Sequence, residues 1–114
     1  MKKPKGTLII IGGEVALPAA NDVKKENFNG DSPETSAKII EKFCELLPGE
    51  QAKIEIVPTA SGIPEESFTY YSEAMKNLGF MNVGNLNIRK REEASDPEVV
   101  NRVQNADGIL FTGG

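Results

Sequence analysis

The sequence predicts an α/β fold in which a mainly parallel sheet is covered by helices. Short apolar runs of strand length alternate with segments whose apolar residues recur at helical spacing. This alternation is typical of parallel strands joined by right-handed helical crossovers. The last apolar run, residues 109–111, leads into Gly113 and Gly114. Glycines at a strand end let the backbone turn sharply and approach another group.

The first strand is expected over residues 7–11, where leucine and isoleucine run into Gly12, Gly13 and Glu14. The segment 14–31 that follows is irregular and long for a connection between a strand and a helix. Long connections in compact domains are often functional.

The first helix is expected to begin at Pro33, with Ser32 as its N-terminal cap, and to end at Pro48. Its apolar positions 39, 40, 43, 44 and 47 follow helical spacing. The second strand is expected at 54–57, where Pro58 stops it.

The second helix is expected to open at Pro64 and to end at Gly79, which suits a left-handed C-terminal residue. A weaker third strand follows at 83–88. For the third helix two starts remain open: Ser95 is the cap, or Asp96 is the cap with Pro97 first. The fourth strand, 109–112, ends the chain, so residues 1–114 are expected to be one domain truncated after its fourth strand.

Composition limits the function classes. The chain has 114 residues and a net charge of −4, which argues against a nucleic-acid-binding protein. No apolar stretch is long enough to span a bilayer and no signal segment is visible, so a cytoplasmic location is expected. The single cysteine, Cys44, excludes an internal disulfide. The chain has no histidine, so it cannot supply a Ser-His or Cys-His pair of its own.

The two strand ends that carry glycine pairs define the expected site, because ligands of open α/β sheets bind outside the carboxyl ends of the strands. Gly12, Gly13 and Glu14 follow the first strand, and Gly113 and Gly114 follow the fourth. Glu14 either orients a substrate amine or a catalytic partner, or is simply solvated. The glycine spacing differs from the dinucleotide-binding fingerprint, so a tight turn is the favoured interpretation.

Three further features have competing interpretations. Cys44 lies on an apolar helix stripe and is expected to be a buried, inert side chain rather than a nucleophile. Ser61 is expected to cap the second helix in preference to contacting a ligand. The basic run at 89–91 either faces an anionic substrate or forms a solvated charge run, and the second interpretation is favoured.

Three stretches, taken together, resemble the cyanophycinase and dipeptidase E family of serine peptidases. They are residues 6–14 (GTLIIIGGE), 56–61 (IVPTAS) and 106–114 (ADGILFTGG). Within that family the resemblance is strongest to the cyanophycinases, in which a Gly-Gly pair and an acid-containing loop also follow the first strand. Residues 112–114 (TGG) belong to the most specific part of the match.

The resemblance implies a three-layer α/β/α sandwich with a mainly parallel sheet, akin to the class I glutamine amidotransferases, of which this chain covers the first four strands. It places Gly114 in the turn that supplies backbone N–H groups to the oxyanion, and Gly12, Gly13, Glu14 and Gly113 at substrate-binding strand ends. The nucleophilic serine, the histidine and the acid of the family would all follow this chain. The 114-residue chain alone is therefore expected to be inactive.

The function that the resemblance implies is hydrolysis of cyanophycin, a poly-aspartate with β-linked arginines, to β-Asp-Arg dipeptides. It implies a peptide or dipeptide substrate, no metal or organic cofactor, and often a homodimer. The alternatives are an Asp-dipeptidase of the dipeptidase E type, a cysteine-type member of the same fold, and a non-enzymatic amidotransferase-like domain that binds a small ligand.

Overall fold

Strand β1 (Ile54–Val57) lies at the centre of a three-stranded parallel sheet. The computed structural model describes residues 5–11 and 33–113, with the side chains of the first helix from residue 38 onward. Strand β2 (Val83–Asn85) pairs with one edge of β1 and strand β3 (Gly108–Phe111) with the other, both in parallel. The register sets Ile54 opposite Val83 on one side and Gly108 on the other.

Helices alternate with these strands as the sequence predicts. They are α1 (Pro33–Glu45), α2 (Pro64–Asn77) and α3 (Pro97–Asn105). A 3₁₀ helix, Arg91–Ser95, precedes α3 where a charged loop was expected. The α/β class is thus confirmed, and each helix begins at the proline where its start was predicted. Proline suits the first helical position because its missing N–H would have no partner there in any case.

Helices α1 and α2 pack on one face of the sheet. Ile54 and Ile56 point to this face and are 0% exposed, since alternate residues of a strand share a face. The buried apolar cluster around them consists of Ile40, Cys44, Ile54, Ile56, Met75, Phe80 and Leu110. Burial of this cluster is the main hydrophobic contribution to the fold.

Helix α3 covers the opposite face, to which Glu55 points. The Glu55 side chain is 1% exposed, and Arg102 of α3 binds it through Nε–Oε1 at 3.2 Å and Nη2–Oε2 at 2.5 Å. Arg102 Nη2 also donates to the carbonyl of Asn85 on β2, at 3.1 Å. Lys53 Nζ adds a weaker contact, 3.8 Å from Glu55 Oε1. One arginine therefore holds α3 against two strands.

Helices on both faces make the arrangement compatible with the expected α/β sandwich. The α3 side is the less completely covered one: Val100 and Val103 of α3 are each 40% exposed, and Phe111 of β3 is 74% exposed. Phe111 alternates with the buried Leu110, which places it on the α3 side of the sheet.

The predicted first strand, residues 7–11, is not found, so the described residues hold three strands and not the expected four. Leu8 is 84% and Ile10 is 86% exposed, while Ile11 packs partly against the core cluster. Among the described residues, the outer edges of β2 and β3 are unpaired, and residues 7–11 make no backbone hydrogen bond to either of them. An apolar run alone does not make a strand, because a strand also needs this ladder of backbone bonds.

The third strand is shorter than predicted, Val83–Asn85 instead of 83–88. Leu86 N–H still donates to the Ile56 carbonyl at 2.8 Å, but Ile88 N–H donates back to the Leu86 carbonyl at 3.1 Å. This local bond turns the chain away from β1 and ends the ladder.

Two helix ends are set by the residues that the sequence suggested. Asp96 is the cap of α3, where its carboxylate accepts from the Glu98 N–H at 2.9 Å, which decides between Ser95 and Asp96. Gly79 follows α2 with a φ of 95°, and Phe80 N–H donates to the Met75 carbonyl at 3.0 Å. This bond pattern ends the helix and brings Phe80 back into the core.

Gly84→Ala is predicted to destabilise the chain, because its Cβ would lie 2.6 Å from Glu55 Oε2 and 2.8 Å from Arg102 Nη2. The buried pair would have to shift, and we expect a loss of about 1–3 kcal/mol in the free energy of unfolding. The control is Gly62→Ala, since no atom lies within 4 Å of that Cβ and the φ of Gly62 is not positive. Urea denaturation measures both variants; equal stability of Gly84→Ala and wild type would contradict the prediction.

Candidate functional site

The carboxyl ends of the three strands form one edge of the sheet. Just beyond β2 and β3, the chain stays bonded to β1: Leu86 N–H donates to the Ile56 carbonyl at 2.8 Å and Thr112 N–H to the Val57 carbonyl at 3.2 Å. The segments that leave β2 and β3 are thereby held against the end of β1. Pro58, which follows β1, is fully buried.

All three strands run in parallel, but the side of β1 on which the next strand is added changes between β2 and β3, so the switch point of the sheet lies between β1 and β3. The chain moves from β1 to one side to form β2, then crosses to the other side to form β3. In open α/β sheets the crevice outside such a switch point is the usual ligand site. Here the crevice is bordered by residues 58–61 after β1 and by Thr112 and Gly113 after β3.

Gly113 is the one predicted site residue that the structure describes. It is exposed, and no atom lies within 4 Å of the Cβ that a larger residue would carry. Thr112 before it is 8% exposed, and its Oγ1 makes a long contact of 3.4 Å with the Gly113 carbonyl. Gly113 thus lies open at the switch point, and its contact with a substrate stays a prediction.

The other predicted site residues, Gly12, Gly13, Glu14 and Gly114, lie outside the described residues. Their roles stay predictions. For the first three the argument from position is weaker than the sequence suggested, because residues 7–11 are not a strand of the sheet.

Ser61 has a structural role that differs from the expected one. Its hydroxyl accepts from the Ile63 N–H at 3.1 Å and lies 2.7 Å from Ser67 Oγ. Ile63, not Ser61, precedes α2, and that helix start has no side-chain cap bond. Ser61 is 7% exposed and its hydroxyl is engaged on both sides, so it fixes the loop after β1.

Arg89 connects the end of β2 to that same loop. Its Nη1 donates to the carbonyls of Thr59 at 3.1 Å and Ser61 at 3.4 Å, and its own N–H donates to Glu93 Oε2 at 3.0 Å. The favoured description of residues 89–91 as a solvated charge run is therefore incomplete. Arg89 is exposed, yet its guanidinium has a defined position at the carboxyl edge.

A polar cluster that the sequence analysis missed lies under the first turn of α2. Asn85 and Asn87 direct their Nδ2 atoms at the Glu65 carboxylate over long distances of 3.5 and 3.4 Å. Their Oδ1 atoms are buried without a partner among the described residues. The available signal was the spacing: Val83, Asn85 and Asn87 are two positions apart, so they are expected on one face of an extended segment, the face on which Val83 packs against the core.

Cys44 is buried in the core cluster, as predicted, with 5% of its surface exposed. Burial raises the pKa of its thiol to about 11, because the thiolate would lose its hydration. The thiol is therefore protonated near neutral pH and is a poor nucleophile.

Within residues 5–11 and 33–113, no three metal-ligating side chains converge on a point that would hold an ion. In the same ranges no helix combines the length and the apolar character needed to cross a membrane. The absence of a cofactor stays a prediction.

Comparison with known proteins gives a partial match. Over 77 residues the chain is 29% identical to the cyanophycinase of Synechococcus elongatus and, equally, to that of Thermosynechococcus vestitus. The similarity supports a distant relationship to the cyanophycinase family. The matched region covers 68% of this chain but 24% of each relative, so the chain spans about a quarter of the length of these curated relatives.

Comparisons with protein-family models and with solved structures found no match.

The stability of the folded chain is predicted to fall as the pH rises from 9.0, the ordinary pKa of the thiol, towards 11. The folded state binds the Cys44 proton more tightly than the unfolded state, so the unfolded state ionises first and gains population. The expected loss approaches about 1.4 kcal/mol per pH unit. Cys44→Ala removes this contribution at a fixed cost of about 1 kcal/mol.

Urea denaturation of both proteins at pH 8, 9, 10 and 11 isolates the thiol, because lysines and tyrosines titrate alike in the two. A constant difference in unfolding free energy between wild type and Cys44→Ala across this series would contradict the prediction.

Proposed function

We propose that this chain is the N-terminal part of a cyanophycinase-like serine peptidase with a class I glutamine amidotransferase-like domain. The observation that carries the proposal is the 77-residue similarity to two cyanophycinases. The nucleophilic serine, its histidine base and the acid would be supplied by sequence that follows Gly114.

The geometry of the described residues supports this assignment. Parallel strands in the order β2-β1-β3, with helices on both faces, are compatible with one half of a doubly wound sheet. The open Gly113 borders the switch point of that half. An acyl-transfer site needs backbone donors next to the scissile carbonyl, and glycines at a strand end present such donors without a side chain in the way.

The proposed chemistry is attack of the serine on a peptide carbonyl with histidine as the general base, by the general logic of the catalytic triad. The negative charge that develops on the carbonyl oxygen would be received by backbone N–H groups of the turn that contains Gly114, with Gly113 next to it as a substrate-binding residue. Each fixed donor of this kind is worth about 2.7–4 kcal/mol of transition-state stabilisation. The proposed substrate is cyanophycin and the products are β-Asp-Arg dipeptides.

The whole protein is predicted to release β-Asp-Arg from cyanophycin, whereas the 114-residue chain alone is inactive because it contains no histidine. Chromatography of the digests measures both. Asp-dipeptides tested in parallel identify an Asp-dipeptidase instead. If the whole protein binds these peptides without cleaving them, the binding-domain alternative replaces the peptidase proposal. Turnover by the 114-residue chain would refute the placement of the catalytic residues after Gly114.

Gly114→Val in the whole protein is predicted to lower kcat about a hundredfold with little change in thermal stability. A β-branched side chain at the turn would misdirect the N–H groups that receive the oxyanion. Gly49→Val is the control, because it lies after α1, away from the carboxyl edge, with no atom within 4 Å of its Cβ. A near-normal kcat for a stable Gly114→Val variant would remove this glycine from the site.

A further inference from the structure

We propose that Arg89 is a carboxylate-binding residue of the site, whose guanidinium receives a free carboxylate of the peptide substrate. The nature of the peptide rests on the proposed function. The binding itself is independent of turnover and is measured without it.

Arg89 has the position that such a role requires. It follows β2 at the carboxyl edge, and its side chain reaches across to the loop after β1, where Nη1 contacts the Thr59 and Ser61 carbonyls. That loop borders the switch point between β1 and β3. The guanidinium is therefore held beside the crevice in which ligands of this sheet class bind.

The guanidinium of Arg89 is held in place, but only one of its nitrogen atoms, Nη1, donates hydrogen bonds to described residues. Its Nη1 holds the two carbonyls, and the backbone of Arg89 is anchored through Glu93. Within the described part of the chain, Nε and Nη2 have no hydrogen-bond partner, and the residue is exposed. A fixed side chain loses less conformational entropy when a ligand binds than a free one does.

The charge of Arg89 is also not neutralised in the described ranges. The ion pairs there join Lys42 to Glu45, and Lys53 and Arg102 to Glu55. A guanidinium stays protonated at all relevant pH values, and carbonyl oxygens do not cancel its charge. The unoccupied Nε and Nη2 are adjacent donors of a planar fork, which matches the two oxygens of a carboxylate.

Arg102 shows the contrasting case in the same molecule. It places Nε and Nη2 on the two oxygens of Glu55, so its fork is already filled by a carboxylate. Arg89 has the same two donors without such a partner among the described residues. The structure thus contains one arginine with a structural carboxylate and one prepared for an incoming carboxylate.

The test is calorimetric binding to the whole protein of β-Asp-Arg, which has two free carboxylates, and of the same dipeptide with both carboxylates amidated. Arg89→Gln is expected to weaken binding of the free acid about tenfold or more, the cost of losing a charged hydrogen-bond pair. It should leave binding of the diamide unchanged. Lys90→Gln is the matched control, an exposed cation of the same loop, and should change either affinity less than about twofold.

The proposal is overturned if β-Asp-Arg does not bind to the wild type, or if its affinity is unchanged in Arg89→Gln. It is also overturned if Arg89→Gln and Lys90→Gln lose equal affinity for β-Asp-Arg, or if inorganic phosphate shows Arg89-dependent binding and the dipeptide does not. If Arg89→Gln does not fold, Arg89→Lys keeps the charge without the fork, and unchanged affinity in that variant overturns the proposal. Arg89-dependent binding without hydrolysis refutes the proposed function alone, and hydrolysis with Arg89-independent binding refutes this inference alone.

Discussion

A carboxylate buried at the centre of the sheet constrains everything around it. Glu55 lies on the middle strand with 1% of its side chain exposed, and a charge in that position is tolerated only with strong partners. Arg102 supplies two donors from α3, and Gly84 on β2 leaves the space that the pair occupies. The pair therefore fixes α3, β1 and β2 relative to one another. The segment that carries Arg89 to the carboxyl edge starts from that fixed strand.

The elements that the sequence predicts well are those with local signals. Pro33, Pro64 and Pro97 start helices because of their own backbone geometry, and residues 54–57 form a strand because they are a short apolar run closed by a proline. The run at 7–11 has the same local signal but makes no backbone ladder with a neighbouring strand, and a local signal cannot show whether such pairing forms. The Glu55–Arg102 pair is invisible to sequence patterns, since its members are 47 positions apart and an isolated glutamate in a strand looks solvent-facing.

The same division applies to the candidate site. The site at the carboxyl edge follows from strand order and stays a prediction, whereas the burial of Cys44 was predictable from its place on a helical stripe. The contacts of Arg89 were not, because its partners are backbone carbonyls, which leave no mark in a sequence. Asn85 and Asn87 are an intermediate case: their spacing of two residues predicts that they share a face, but the Glu65 carboxylate that they contact lies on α2, which precedes β2 in the chain.

The central strand has a consequence for the order in which the protein assembles. Both partners of β1 come later in the chain, and the Lys53 N–H finds its acceptor, Asp107, only 54 positions further on. Contacts of such separation close large loops before any stabilisation is gained, which makes folding slow. During synthesis, β1 and β2 would emerge from the ribosome before β3, which would leave one edge of β1 unpaired. An unpaired apolar strand edge is where a nascent chain is most exposed to aggregation and to chaperone binding.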